Sequence, residues 1–247
     1  MSEYGKKTRQ FRLFGLEKAV VAEKLENFSG TKGPLNCEYF PELLESLITI
    51  SIKKVDDTRI NDNLDRLENE IRSLFGPFLF TDNNESMEEI AGKMLIHRGL
   101  TVSVAESCTG GLISNRFTNI PGSSGYFLGG VVVYGNQSKV DFLDIPRKII
   151  EKHGAVSDPV VRAMAQGVKK RFKSDLGLAV TGIAGPDGGS REKPVGTVFI
   201  GLASGNNVFS SRYRFSGPRD HVKNHTATMT LDWIRRYLNG DSFIPGL

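Results

Sequence analysis

Apolar residues recur along this chain with two different periods, and the alternation between those periods outlines its elements. Thr8 to Leu13 alternates in the manner of a strand. Glu17 to Phe28 then carries Val20, Val21, Leu25 and Phe28 at helical spacing. The run Ser29-Gly30-Thr31-Lys32-Gly33-Pro34 reads as a loop, and Leu47 to Val55 alternates again as a strand. Asn61 to Phe75 predicts a second amphipathic helix with Leu64, Leu67, Ile71 and Leu74 on one face. Gly76-Pro77 ends it, and Phe78-Leu79-Phe80 follows as a short strand. These elements predict a small α+β domain over residues 1–81, with residues 82–85, polar and rich in turn formers, as a linker.

From residue 86 strands and helices alternate. Ser86 with Glu89 forms a capping-box pattern that opens a helix to about Arg98, with Ile90, Met94 and Leu95 facing inward. Thr101–Ala105 reads as strand, Gly111–Phe117 as helix, Phe127–Tyr134 as strand and Arg147–Lys152 as helix. Ser157-Asp158-Pro159 starts a helix bearing Val160, Val161, Met164, Val168 and Phe172, and Leu176–Val180 is a buried strand. Val195–Ala203 and Val208–Phe215 form a hairpin through Gly205-Asn206-Asn207. Pro218 opens a last helix with Val222, Met229, Trp233 and Tyr237 on its inner side. Residues 86–247 are therefore predicted as an α/β domain, a three-layer α/β/α sandwich with a mixed sheet.

Composition narrows the functional classes. At 39% hydrophobic and 24% charged residues, the chain is that of an ordinary globular protein with a full core. No apolar run reaches the ~18 residues of a membrane span, and Met1 to Lys7 lacks a secretory h-region. Cys37 and Cys108 have neither disulfide nor zinc spacing, and the four histidines share no metal pattern. A cytoplasmic protein without metal or cofactor is expected. The charge is uneven: residues 1–85 hold 12 Lys/Arg and 15 Asp/Glu, residues 86–247 hold 20 and 13. A mildly basic second half suits a small anionic substrate and falls short of a nucleic-acid stripe. The Gly30-Thr31-Lys32-Gly33 loop fits a KH-type GxxG, but its surroundings are net acidic, which argues against nucleic acid as a partner.

Four segments carry candidate chemistry. In Glu106-Ser107-Cys108-Thr109-Gly110-Gly111 a strand turns into a helix through small residues. Such a turn exposes a side chain at the sheet's tip and directs N–H groups at a ligand. A plain helix cap at Ser107 explains the same letters, and these residues alone leave the two readings open. In Tyr134-Gly135-Asn136-Gln137-Ser138-Lys139, Tyr134 and Lys139 meet if the loop turns into a helix. Serine, tyrosine and lysine make an acyl-transfer set, provided burial or a nearby cation lowers the lysine pKa; a solvated surface lysine is the plainer alternative. Thr181-Gly182-Ile183-Ala184-Gly185-Pro186-Asp187-Gly188-Gly189 lets a backbone approach a ligand closely but lacks the lysine of a P-loop. Arg219, after Phe215-Ser216-Gly217-Pro218, sits in the first turn of the last helix, a phosphate-site pattern that a surface arginine also satisfies. Cys108 ranks behind Ser107 as nucleophile, because no histidine stands in a partnering motif.

Read together, AESCTGGLIS, PGSSGYFLGGVVVYGNQSK, HGAVSDPVV, VTGIAGPDGGSREKPVGTVFIGLA and FSGPRD occur in this order and resemble the CinA C-terminal domain family, the nicotinamide-mononucleotide deamidases. More loosely, the first 80 residues resemble the KH-like middle domain of full-length CinA proteins, and the pyrophosphatase domain that precedes it there is expected to be missing. The resemblance implies hydrolysis of nicotinamide mononucleotide to nicotinate mononucleotide and ammonia without a metal. It places the catalytic serine on Ser107, the tyrosine on Tyr134 and the lysine on Lys139. Substrate contacts are expected from Thr109, Gly110, Gly111, Asn136, Thr181, Gly182, Gly185 and Arg219. In the implied mechanism neutral Lys139, helped by Tyr134, deprotonates Ser107, and N–H groups near residues 108–111 or in the glycine loop hold the oxyanion. Two departures stand out: Gly135 and Gln137-Ser138 replace a usual Ser and Glu-Ala, and Pro218 replaces the Asp before the arginine. The rival expectations are a non-catalytic nucleotide-sensing or partner-binding module linked to competence or DNA damage, nucleic-acid binding through the first domain, and dimer contacts through that domain.

Overall fold

The computed structural model describes residues 7–26, 28, 35–41, 45–52 and 59–243. Backbone contacts divide the chain into two compact units, Met1–Ser86 and Met87–Leu247. In the first, β1 (Lys7–Phe14) is followed by α1 (Lys18–Glu26), β2 (Leu35–Pro41), β3 (Glu45–Ile52), α2 (Arg59–Phe75) and β4 (Leu79–Thr81). The strands form one antiparallel sheet in the order β2-β3-β1-β4. Its core contains Phe11, Leu13, Ile48, Val21, Leu25, Phe28, Leu67, Ile71 and Phe75, so the helical periods of α1 and α2 find the sheet as their partner. Strand β2 is an addition to the elements read from the sequence, although Leu35, Cys37 and Tyr39 do alternate with Asn36 and Glu38. The expected 29–34 loop, with its GxxG, lies outside the described residues, as does Val55.

The second unit holds α3 (Met87–Arg98), β5 (Val102–Glu106), α4 (Leu112–Thr118), β6 (Phe127–Val132), α5 (Asn136–Leu143) and α6 (Arg147–His153). It continues with α7 (Asp158–Phe172), β7 (Leu176–Gly182), β8 (Thr197–Ser204), β9 (Asn207–Arg214) and α8 (Arg219–Asn239). The sheet order is β6-β5-β7-β8-β9, with β6, β5 and β7 parallel and the β8–β9 hairpin antiparallel. Helix α7 covers one face, with α5 and α6 beside it, and α3, α4 and α8 cover the other. This is a mixed α/β/α sandwich. Central β5 is buried along its whole length and β7 along all but its last residue, whereas edge strand β6 alternates. Burial on both faces suits the apolar start of β7, while β5 also buries Ser103 and Glu106, whose side chains find partners inside.

Two helices differ from expectation in which face is inward. On α3 the buried stripe is Met87, Ala91 and Leu95, while Ile90 and Met94 are only half-buried. Helix α8 is buried nearly all round between His225 and Arg236, since it lies between the sheet and α3 and α4. Its interior charges are matched: the Asp232 carboxylate accepts from Arg235 Nε at 2.8 Å and Arg236 Nε at 2.6 Å. Close approach of α4 to the edge strand requires a glycine: a Cβ at Gly130 would lie 2.2 Å from Ser114 Oγ.

Candidate active site

The three parallel strands end together, and the first candidate segment lies at that edge. Ser107 is the residue after β5. Its N–H donates to Val180 O at 3.1 Å, which holds it in register with β7, while Glu106 O accepts from Val133 N at 2.8 Å. The chain then turns through Gly110 (φ 64°) and Gly111 (φ 98°), left-handed conformations that suit glycine, before α4 begins.

The N-terminus of α4 is not capped by Ser107. Its N-cap residue is Gly111, and the orphan N–H groups are satisfied by the carboxylate of Glu106. Glu106 Oε2 accepts from Gly111 N (2.9 Å) and Ile113 N (3.1 Å); Oε1 accepts from Ser114 N (2.8 Å) and Ser114 Oγ (2.7 Å). This fully buried carboxylate occupies the place an external anion would take at a helix N-terminus. Two expectations are corrected: Ser107 is not a cap, and the N–H of Gly111 is not open to a ligand. Gly110 N likewise donates to Ser107 O, at 3.2 Å. Within the turn, the N–H groups of Cys108 and Thr109 have no acceptor on another described residue. The only sequence signal for Glu106 was an acid closing a strand just before a helix start.

Lys139 reaches the serine from α5. The loop after β6 does turn into a helix, with Gly135 as N-cap, and the lysine side chain folds back over its own first turn. Its Nζ lies 2.7 Å from Val133 O, 3.1 Å from Tyr134 O and 3.2 Å from Ser107 Oγ, with the residue only 1% exposed. Burial lowers its pKa from 10.5 to about 8. The two carbonyls can only accept, so they fix two N–H bonds of a neutral amine and leave its lone pair for the Ser107 hydroxyl. Ser107, 8% exposed, is at the floor of the site. Cys108 differs sharply: its thiol is buried, and a Cβ at Gly182 would sit 3.1 Å from the sulfur. Burial, with the Glu106 carboxylate adding to it, pushes the thiol up to about 12. A thiol so protonated is a poor nucleophile.

Tyr134 enters this cluster by its backbone rather than its ring. Its carbonyl accepts from Lys139, while its exposed phenol oxygen accepts from Arg219 Nη2 at 3.1 Å. Arg219 Nη1 donates to Gly185 O at 2.7 Å. Arg219 thus ties the glycine loop to Tyr134, and these two oxygens orient it. The remaining residues are less engaged. Thr181 is buried with its hydroxyl donating to Ala155 O at 2.9 Å, Gly182 ends β7, and Asn136 is exposed at the start of α5. The hydroxyl of Thr109 is fully buried and has no partner among the described residues. Among the described residues no group of His, Cys, Asp and Glu is placed to hold a metal, and no helix is long and apolar enough to cross a membrane.

The sequence profile of the CinA C-terminal domain matches residues 84–238, the stretch that contains every site residue above. The chain belongs to the CinA family. The CinA-like protein of Citrifermentans bemidjiense is 41% identical over 235 residues, covering 95% of this chain and 56% of that protein. The CinA-like protein of Geotalea uraniireducens is 38% identical over 234 residues, 94% of this chain and 55% of that protein. The chain therefore spans about half the length of these curated relatives. Among solved structures, the competence/damage inducible protein CihA from Agrobacterium tumefaciens superposes with a TM-score of 0.59 at 39% identity. That match covers 62% of this chain and 95% of the other. The competence damage-inducible protein A (ComA) from Klebsiella pneumoniae gives 0.60 at 27% identity, over 63% and 98%.

Proposed function

We propose that the second unit is an amidohydrolase that converts nicotinamide mononucleotide to nicotinate mononucleotide and ammonia. The observation that carries this reading is the buried Lys139 amine 3.2 Å from Ser107 Oγ, with its pKa lowered to about 8. At neutral pH about a tenth of such an amine is unprotonated, and that fraction is a competent base. Ser107 Oγ attacks the carboxamide carbon as its proton passes to Lys139. The N–H groups of Cys108 and Thr109, which donate to no other described residue, would hold the resulting oxyanion. Lys139 returns the proton to the leaving nitrogen, the C–N bond breaks and ammonia departs. Water then attacks the acyl ester, giving its proton to Lys139, which passes it to Ser107 Oγ as the carboxylate leaves.

In this reading Tyr134 serves through its carbonyl, which orients Lys139, and through its phenol, which orients Arg219. Arg219 and the Gly185 loop face the nucleotide's ribose phosphate, with Asn136 at the rim. Thr181, Gly110, Gly111 and Gly182 shape the walls, and Thr109 adds a hydroxyl. The test is ammonia release from nicotinamide mononucleotide by the full chain. Wild-type protein and Cys108→Ala are expected to turn over, and Ser107→Ala is expected to lose about 10³-fold or more in kcat. An active Ser107→Ala beside an inactive Cys108→Ala would overturn the assignment.

A further inference from the structure

The helix end nearest the nucleophile is closed to an external anion by Glu106, so the charged end of an anionic substrate has to be received elsewhere. The cations around the turn narrow the choice. Arg116 is paired with Glu88 and Thr228, and Lys139 is engaged with two carbonyls and the serine. Lys223 is different. It lies four residues after Arg219, one turn further along α8 and on the same side of that helix. A Cβ built on Gly110 would lie 4.0 Å from Lys223 Nζ, so the ammonium stands directly against the Ser107–Gly111 turn. Because Gly110 has no side chain, the space between them stays open. Lys223 is half-buried, yet it has no hydrogen-bond or ion-pair partner among the described residues. A cation that stands against the turn without a partner is available to an anion that arrives there.

We propose that Lys223 and Arg219 together receive the phosphate of the substrate, Lys223 being the group that distinguishes a nucleotide from its nucleoside; the identity of that anion rests on the deamidase reading above. The pairing has a division of labour. A guanidinium presents a fixed fork, and here two of its donors are already aimed at Gly185 O and the Tyr134 phenol. A lysine is a mobile point charge that follows the phosphate oxygens. Binding at this remote phosphate would position the amide over Ser107, so its loss is read first in KM.

The experiment compares wild type, Lys223→Gln and Lys223→Arg. Ammonia release is measured with nicotinamide mononucleotide and with nicotinamide riboside, and inorganic phosphate is titrated as a ligand by phosphorus NMR. Trp233 fluorescence checks that each variant is folded. Lys223→Gln is expected to raise KM for the mononucleotide about tenfold, the scale of one charge-assisted contact. It should lower the preference for mononucleotide over riboside by the same factor and weaken phosphate binding, with Lys223→Arg recovering most of each loss. Wild-type KM and phosphate affinity in a folded Lys223→Gln would overturn the proposal while leaving the deamidase reading intact. If wild type releases no ammonia from the mononucleotide, the deamidase reading fails and the phosphate titration alone decides. Weaker binding by Lys223→Gln then retains the anion site, and equal binding, or none by wild type, removes it.

Discussion

Replacing Lys139 with methionine should change the pH dependence of stability in a direction opposite to that of most lysines. A lysine that gains a carboxylate partner has a raised pKa. Lys139 gains only carbonyls and a hydroxyl, and burial lowers its pKa from 10.5 to about 8. Below pH 8 both folded and unfolded chains hold the proton, and the folded state carries the full cost of a buried ammonium. Between pH 8 and 10.5 the unfolded chain keeps the proton and the folded one loses it, so stability rises with pH. Integrated across that window the gain is about 3 kcal/mol. In Lys139→Met the gain is absent, whereas every other titration is shared and cancels in the difference. The hydrogen bonds lost to Val133 O and Tyr134 O add an offset that does not depend on pH. Urea unfolding followed by Trp233, the one tryptophan and a buried residue of the second unit, reports the relevant transition. The stability of wild type relative to the variant should be flat from pH 6 to about 8 and then climb by about 3 kcal/mol. A difference that stays flat to pH 10.5 would show that the ammonium is not destabilised by burial, and the base assigned to Ser107 would lose its physical footing.

Other expectations follow from the same geometry. In an ammonia-release assay, kcat/KM should rise about tenfold per pH unit and level off near pH 8, where the amine becomes neutral; a profile flat between pH 6 and 8 contradicts Lys139 as base. Glu106→Ala leaves three N–H groups and the Ser114 hydroxyl without their acceptor and should cost about 3 kcal/mol or more by urea unfolding, with Glu106→Gln recovering part of that. Gly130→Ala drives a methyl into Ser114 and should destabilise by about 1–3 kcal/mol, whereas Gly122→Ala, which meets nothing and suffers only its left-handed φ, should cost less.

What the sequence disclosed depended on how local the determinant was. Strands β5 and β7 and the β8–β9 hairpin were legible because β-branched and apolar residues mark strands and turn residues mark hairpins, both local signals. Helix α5 was legible only as a condition, since Asn136–Leu143 has little amphipathic pattern and earns its place through Lys139 and Leu143. The lysine itself reads as a surface residue, because its burial is created by a strand and a turn distant in sequence. Glu106 was hidden for a related reason: an acid that closes a strand shows its acceptors only once the following helix has turned back over it. The orientation of Arg219 by Gly185 O and the Tyr134 phenol joins segments 34 and 85 residues away, beyond any spacing rule.

In the deamidase reading the carboxylate of Glu106 bears on turnover as well as on folding. Deamidation would turn a neutral amide into an anion at the very point where a helix begins. An open helix N-terminus there would grip the new carboxylate and slow its departure. With Glu106 already holding the N–H groups of Gly111 and Ser114, the new carboxylate would find no grip there.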